Sequence, residues 1–376
     1  MSKPCVGRGF VQRRSPTFYI YCTHMAKEAK IERAPMALYR KYRPHTFADV
    51  RGQAEVVSVL EAAVKGGKIA HAYLFAGGRG TGKTSMARIL ARSLNTDEQD
   101  IYEMDAASNR GIDEIRELRD GVSTLPFNSK YKFYIIDEAH ALTRDAWGAL
   151  LKTLEEPPAH VIFVLATTEL DRVPDTITSR CQTFSFKKPS HETLKKMVLD
   201  LAKKEGATLA PAGAELIALM GEGSFRDVQG ILQKVLTVSK DNKLTEEEVG
   251  KVVGAPRGEL VNSFLQSLAA KNIEAALDVF HKATGGGTEP KVFALLAVTK
   301  VRAVLLLRFA PKLKEELEGQ FGGDDLAFLQ NLSKTGLAIN AALLAELLTA
   351  LIEMNRAPLP QIPLELALYR ALGEQK

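Results

Sequence analysis

Residues 77–84 read Gly-Gly-Arg-Gly-Thr-Gly-Lys-Thr, directly after the apolar run Ala72-Tyr73-Leu74-Phe75-Ala76. A strand, a glycine-rich turn and a Lys-Thr pair opening a helix form a phosphate-cradling loop in its required context. Gly77, Gly80 and Gly82 allow a backbone that aims N–H groups inward at a polyphosphate, and the helix that follows adds its positive end. Gly78, Arg79, Thr81 and Ser85 complete the loop and the first helical turn. Lys83 is expected to reach the β and γ phosphates and the Thr84 hydroxyl to ligate Mg²⁺. The chain is therefore expected to bind a nucleoside triphosphate.

About 55 residues downstream, the continuous apolar run Phe133-Tyr134-Ile135-Ile136 ends in Asp137-Glu138. A strand end of this kind is where ligands sit in open parallel sheets. Asp137 is placed to hold Mg²⁺ directly or through water, and Glu138 to orient and activate an attacking water. Thr168 ends the next strand, where a hydroxyl can touch the γ phosphate or its water. Arg226, in Gly223-Ser224-Phe225-Arg226-Asp227, enters a helix; it is either a surface cation or one that reaches back to the γ phosphate.

Arg180, in Ser179-Arg180-Cys181, precedes the last strand and so lies at the amino end of the sheet, about 17 Å from the phosphate loop. It is either a structural arginine at a strand end or a finger acting on a neighbouring subunit's nucleotide.

The elements that must position these groups follow from periodicity. Helices are expected at Gln53–Val64, after the phosphate loop, at Ile112–Leu118 and around Trp147–Leu154. Strands are expected at 72–76, 101–105, 133–136, 161–166 and 183–186. Strands alternating with helices over 36–189 predict a parallel, doubly covered sheet. After Pro189 the chain reads as helical, with no strand pattern of buried length. Four segments are predicted: a basic extension (1–35), an α/β nucleotide domain (36–189), a small helical domain (190–254) and a second all-helical domain (255–376).

The 376 residues carry a net charge of +5, and residues 1–35 account for all of it with seven basic and two acidic groups. Any nucleic-acid binding by the rest must come from a local patch. The leader could be a DNA-binding arm, a transit-type peptide or a solvated tail, of which the last is favoured, with Met25 and Met36 as alternative initiators. No run of 18 apolar residues predicts a membrane span. Three scattered cysteines fit a reducing cytoplasm and offer no zinc spacing.

Several ordered stretches resemble one family. They are Ala37–Pro44, Phe47–Gln53, the phosphate loop, Asp105–Asn109, Asp137-Glu138-Ala139-His140, Leu150–Pro158, Thr178–Cys181 and Gly223–Asp227. Together they look like the gamma/tau subunits of bacterial DNA polymerase III, AAA+ clamp loader ATPases. The resemblance implies a RecA-like five-stranded AAA+ domain, a helical lid and a helical collar. It implies ATP hydrolysis by Lys83, Thr84, Asp137 and Glu138, with Thr168 and Arg226 as the two sensors and Arg180 as a trans-acting finger. Tyr39 and Val50, with the Tyr39–Pro44 segment, would line the adenine pocket.

Implied partners are delta and delta' type subunits in a pentamer, a sliding clamp and primer-template DNA. Arg110, Arg116 and Arg119 are candidate phosphate contacts. Two departures stand out. Asn95–Asp100 replaces the family's four-cysteine zinc module, so no zinc is expected, and the chain stops after the collar, so a gamma-length protein is expected. A replication factor C-type small subunit is a related alternative, and a non-hydrolysing polymerase-organising scaffold is a different one. Intact Lys83 and Glu138 argue against the scaffold, and nothing resembles a polymerase active site.

Overall fold

The computed structural model describes residues 36–108, 112–239, 241–314, 317, 321 and 323–373. The basic extension 1–35 and Arg110 lie outside the described residues.

Five parallel strands form the first layer: β1 (Ala72–Gly77), β2 (Ile101–Asp105), β3 (Lys132–Asp137), β4 (Val161–Thr167) and β5 (Gln182–Phe186), in the order β2-β3-β4-β1-β5. β1, β3 and β4 are apolar almost throughout because they are covered on both faces. Alternation divides their side chains. Tyr73 and Phe75 join Phe133, Ile135 and Val164 under helices α2 (Ala54–Lys65) and α3 (Lys83–Ser93). Ala72, Leu74, Tyr134 and Phe163 turn the other way. They meet Ile115 of α4 (Ile112–Val122), Trp147, Leu150 and Leu154 of α5 (Arg144–Glu155) and Ile177 of the short α6 (Asp175–Thr178). A five-stranded parallel α/β sheet with helices on both faces is thus in place.

Several boundaries differ by a few residues from those that periodicity suggests. α4 runs on to Val122, because that residue is buried against the sheet. β5 starts at Gln182, whose backbone pairs with Tyr73 although its side chain is exposed.

A second core gathers α7 (His191–Lys204), α8 (Pro211–Met220), α9 (Phe225–Val238) and α10 (Glu246–Val253). It includes a two-residue parallel pair, Thr208–Leu209 with Lys243–Leu244, too short to leave a sequence pattern. Leu38, from a turn of helix at Leu38–Lys41, is buried in this core, and its N–H donates to Gln233 Oε1 at 3.0 Å. The segment 37–42 is therefore anchored to the helical layer, with Tyr42 Oη donating to Glu205 at 2.6 Å.

Among the described residues, a third core joins six helices, from Gly258–Ala269 to Ile362–Leu372. Its one long helix, Pro290–Phe309, carries a buried Lys300 whose ammonium donates to Asn262 Oδ1 and Asp325 Oδ2, each at 2.8 Å. Among the described residues no helix is long and apolar enough to cross a membrane.

Candidate functional site

The sheet register brings distant residues to one edge. Ala76 lies beside Thr167, Gly77 beside Phe186 and Asp105 beside Asp137, so the carboxyl ends of the strands open at one level. At that edge Gly77 leaves β1 with φ 154°, and a Cβ there would collide with the Phe186 carbonyl oxygen. Gly80 has φ 71°, and a Cβ there would collide with Ser224 Oγ. Only glycine meets both demands.

Thr81 Oγ1 braces the loop by donating to the Gly78 carbonyl at 2.9 Å. Lys83, nearly buried, folds its ammonium back over the loop and donates to the carbonyls of Gly77 and Gly78 at 2.8 and 2.9 Å. Burial pushes the Lys83 pKa down, against the partial support of Glu138 and Asp137, and Arg226 pushes the same way as burial. A buried ammonium held by the Gly77 and Gly78 carbonyls, with partial support from Glu138 and Asp137, is set up for a strongly charged anion.

Thr84 Oγ1 donates to Asp137 Oδ2 at 2.7 Å. A hydroxyl and a carboxylate converging from α3 and β3 form a hard-oxygen donor set that fits Mg²⁺, which takes few protein ligands and keeps its waters. Among the described residues no group of three or more His, Cys, Asp or Glu side chains could hold a metal ion.

Glu138 follows β3 in the left-handed region (φ 49°), turning its carboxylate toward β4, where Thr168 Oγ1 donates to Oε2 at 3.0 Å. A cleft of about 410 Å³ opens beside these groups, lined by Asp137, Glu138, Arg79 and Arg226, with Glu103, Met104 and Asp105 as its far wall. Arg226 reaches it because Ser224 caps α9, accepting from the Asp227 N–H, and directs the first turn at the phosphate loop. The structure thus brings together Lys83, Thr84, Asp137, Glu138, Thr168, Arg79 and Arg226.

Tyr39 lies with its ring 5.9 Å from the Arg226 guanidinium, and Val50 packs on the α2–α3 face of the sheet.

Arg180 is elsewhere. It follows α6, below the register pair Tyr73–Gln182, at the amino end of the sheet. Its Nη2 donates to Glu155 Oε1 and its Nη1 to the Thr176 carbonyl, both at 2.7 Å. Arg116 and Arg119 lie on α4, where Arg119 pairs with Asp120 at 3.0 Å.

Three residues at the site are given no individual role by the sequence. Gln53, buried, donates to the Lys187 carbonyl at 2.7 Å and approaches the Thr81 carbonyl at 3.5 Å, tying the phosphate loop to the exit of β5. Arg43 donates from Nε to Ser85 Oγ at 3.2 Å; burial pushes its pKa down, and Arg88 and Arg226 nearby push the same way. His140 lies between Glu138, Thr167 and Glu169. Only long-range pairing reveals these contacts.

Comparisons with known proteins fit this geometry. The sequence profile of the family described as "DNA polymerase III, delta subunit" matches residues 52–111 and 100–190. The Bacillus subtilis DNA polymerase III subunit tau is 38% identical over 303 residues, covering 75% of this chain and 54% of the relative. The DNA polymerase III subunit gamma/tau of Mycobacterium tuberculosis is 37% identical over 299 residues, covering 73% and 52%. The Escherichia coli subunit tau is 32% identical over 362 residues, covering 89% and 55%.

This chain belongs to the DNA polymerase III gamma/tau family.

As a gamma/tau family member it spans about half the length of the curated relatives it matches. Among solved structures, the Thermotoga maritima RuvB Holliday junction branch migration motor is similar at 23% identity. That match has a TM-score of 0.49 and covers 60% of this chain and 79% of that one. The chain sets the phosphate loop, Asp137 and Glu138 on a single edge of its parallel sheet.

Proposed function

We propose that this chain is the ATP-hydrolysing motor subunit of a clamp loader, which uses ATP to open a sliding clamp and place it on primed DNA. The observation that carries the reading is the split of catalytic groups across the sheet. Lys83, Thr84, Asp137 and Glu138 share the carboxyl edge, while Arg180 stands at the amino edge, held by Glu155. β5 alone spans four residue steps between those levels, about 13 Å. Arg180 therefore serves a neighbour's nucleotide, and each site is completed only by assembly.

In this reading the Gly77–Ser85 loop and Lys83 bind the triphosphate of ATP. Thr84 and Asp137 hold Mg²⁺, which when bound neutralises charge on the β and γ oxygens. Glu138 takes a proton from the attacking water. Thr168, bonded to that carboxylate, senses the γ phosphate, and Arg226 links it to the angle of residues 190–254, which act as a lid. Tyr39 and Val50 flank the adenine. Residues 255–376 form the collar of a complex with delta and delta' type subunits, and Arg116 and Arg119 meet DNA phosphates.

The test is ATP turnover by the assembled complex, with and without primed DNA and the sliding clamp. Stimulation by both together is expected; turnover indifferent to them would overturn the clamp-loader reading.

A further inference from the structure

His140 has no part in the site as assigned, yet its ring fills the space between the two strand ends that carry Glu138 and Thr168. The short turn Ala139–Ala141 follows the left-handed Glu138, a conformation that a non-glycine residue keeps only where its surroundings enforce it. Ala139 is fully buried, and the turn carries the imidazole back across the end of β4.

Three oxygens meet the ring, whose side chain is 12% exposed. Nδ1 lies 3.0 Å from Thr167 Oγ1 and 3.5 Å from Glu138 Oε2, and Nε2 lies 3.3 Å from Glu169 Oε1. Of the two neutral tautomers, one satisfies the surroundings. With the proton on Nε2, the ring donates to the Glu169 carboxylate, and Nδ1 accepts from the Thr167 hydroxyl. That hydroxyl oxygen in turn accepts the Glu169 N–H at 3.0 Å. The opposite tautomer would set a nitrogen lone pair against the Glu169 carboxylate.

The ring is therefore bonded to Thr167 and Glu169, the residues on either side of Thr168, whose hydroxyl donates to Glu138. Glu169 is steadied from outside by Arg172 Nε at 3.0 Å. Thr168, fixed between these two anchored neighbours, holds the Glu138 carboxylate at 3.0 Å.

The geometry points to His140 as a positioning residue for Glu138, setting the β4 exit that holds the water-activating carboxylate. This rests on the role proposed for Glu138. Any buried imidazole needs partners for its nitrogens; what singles out this one is that its partners flank Thr168, the residue that holds Glu138.

The test compares His140→Ala, His140→Asn and His140→Gln in the full chain, within the complex it forms, by ATP titration and by turnover. H140A should lower kcat roughly 10- to 100-fold, the effect of misplacing a catalytic group by about an ångström, while ATP affinity stays within about twofold. H140N, whose amide oxygen falls near the Nδ1 position and accepts from Thr167, should recover most of the rate. H140Q, which reaches only toward Glu169, should recover less. Should H140A not fold, the contrast between H140N and H140Q carries the same comparison.

Adding H140A to Glu138→Gln should slow turnover no further, because His140 acts through Glu138. Turnover of H140A within about twofold of the unaltered chain, a loss confined to KM, or a multiplicative loss in the double variant would each overturn the inference. Turnover retained by E138Q alone would instead remove Glu138 from its role, and the role of His140 with it.

Discussion

The backbone N–H of Phe225 donates to the carbonyl of Gly80 at 3.0 Å, bonding the apex of the phosphate loop to the first residue of α9. Ser224 Oγ occupies the space a Gly80 side chain would need, and Arg226 follows one residue on. The phosphate loop and α9 thus meet backbone to backbone, and a change in one is felt by the other. Gly80→Ala adds left-handed strain and a collision. It should cost roughly 2–4 kcal/mol of stability and weaken ATP binding at least about tenfold, read by thermal melting and equilibrium titration.

Glu138→Gln keeps the shape of the side chain and its contact with Thr168 while removing the base. ATP affinity should stay unchanged and turnover fall by about 10²–10⁴. Single-turnover hydrolysis in the assembled complex is the measurement, and unchanged turnover would remove Glu138 from the chemistry.

Lys83 carries a buried charge that only an anion relieves. Burial lowers its pKa below the ordinary 10.5 despite Glu138 and Asp137. Between the lowered folded value and the unfolded one, the unfolded chain binds more protons, so this group's contribution to stability rises with pH across that window. Below the lowered folded value, the folded state bears the full cost of the charge. Lys83→Met should therefore abolish ATP binding yet raise the melting temperature of the nucleotide-free chain by about 2–4 °C. The gain should shrink as pH rises through the lysine's titration. A lower melting temperature at pH 7 would show the charge to be well compensated.

Arg180→Ala should leave the chain's own ATP binding intact and remove assembly-dependent turnover, by roughly 10³ to 10⁵ if the guanidinium acts as a finger. Complexes mixing Arg180→Ala copies with Lys83→Ala copies give the decisive reading. A Lys83→Ala neighbour still supplies Arg180 to an intact phosphate loop, so activity should partly return. Failure of any mixture to recover would place Arg180 in its own subunit's structure.

Asp100 is buried, and its carboxylate accepts the N–H groups of Phe127, Asn128 and Ser129 at 2.6, 3.1 and 3.0 Å. Burial alone would raise its pKa, but these bonds together hold it below the ordinary 3.8. Its stabilising effect is complete above 3.8 and is lost as pH falls through the lower folded value. Asp100→Asn should destabilise the chain by about 2–3 kcal/mol at pH 7 and by less near pH 3, read from urea unfolding midpoints. An equal loss at both pH values would count against the charge.

Much of the site is legible in the amino-acid order. The loop from Gly77 to Thr84 and the acids Asp137-Glu138 follow apolar runs whose meaning is local: a strand buried on both faces has little room for a polar residue. The small misses have the same root. β5 begins at Gln182 because its backbone pairs with Tyr73, which an exposed side chain does not announce. The pair Thr208–Leu209 with Lys243–Leu244 is too short for any periodicity. Gln53 and His140 lie in recognisable stretches, but what they do there shows only when Lys187, Thr167 and Glu169 arrive beside them.

By itself, then, the sequence determined the alternation of strands and helices, the phosphate loop and the acids that follow β3. These depend on near neighbours along the chain: glycine torsions, 3.6- and 2-residue periods, and a helix start at Lys83. Only the tertiary structure decided the strand order β2-β3-β4-β1-β5, which sets Gly77, Asp137 and Thr167 on one edge and Arg180 beside Glu155 on the other. It alone brought Ser224 and Phe225 onto Gly80. Such pairings are chosen by which faces bury together, a property of the packed whole that no local spacing encodes.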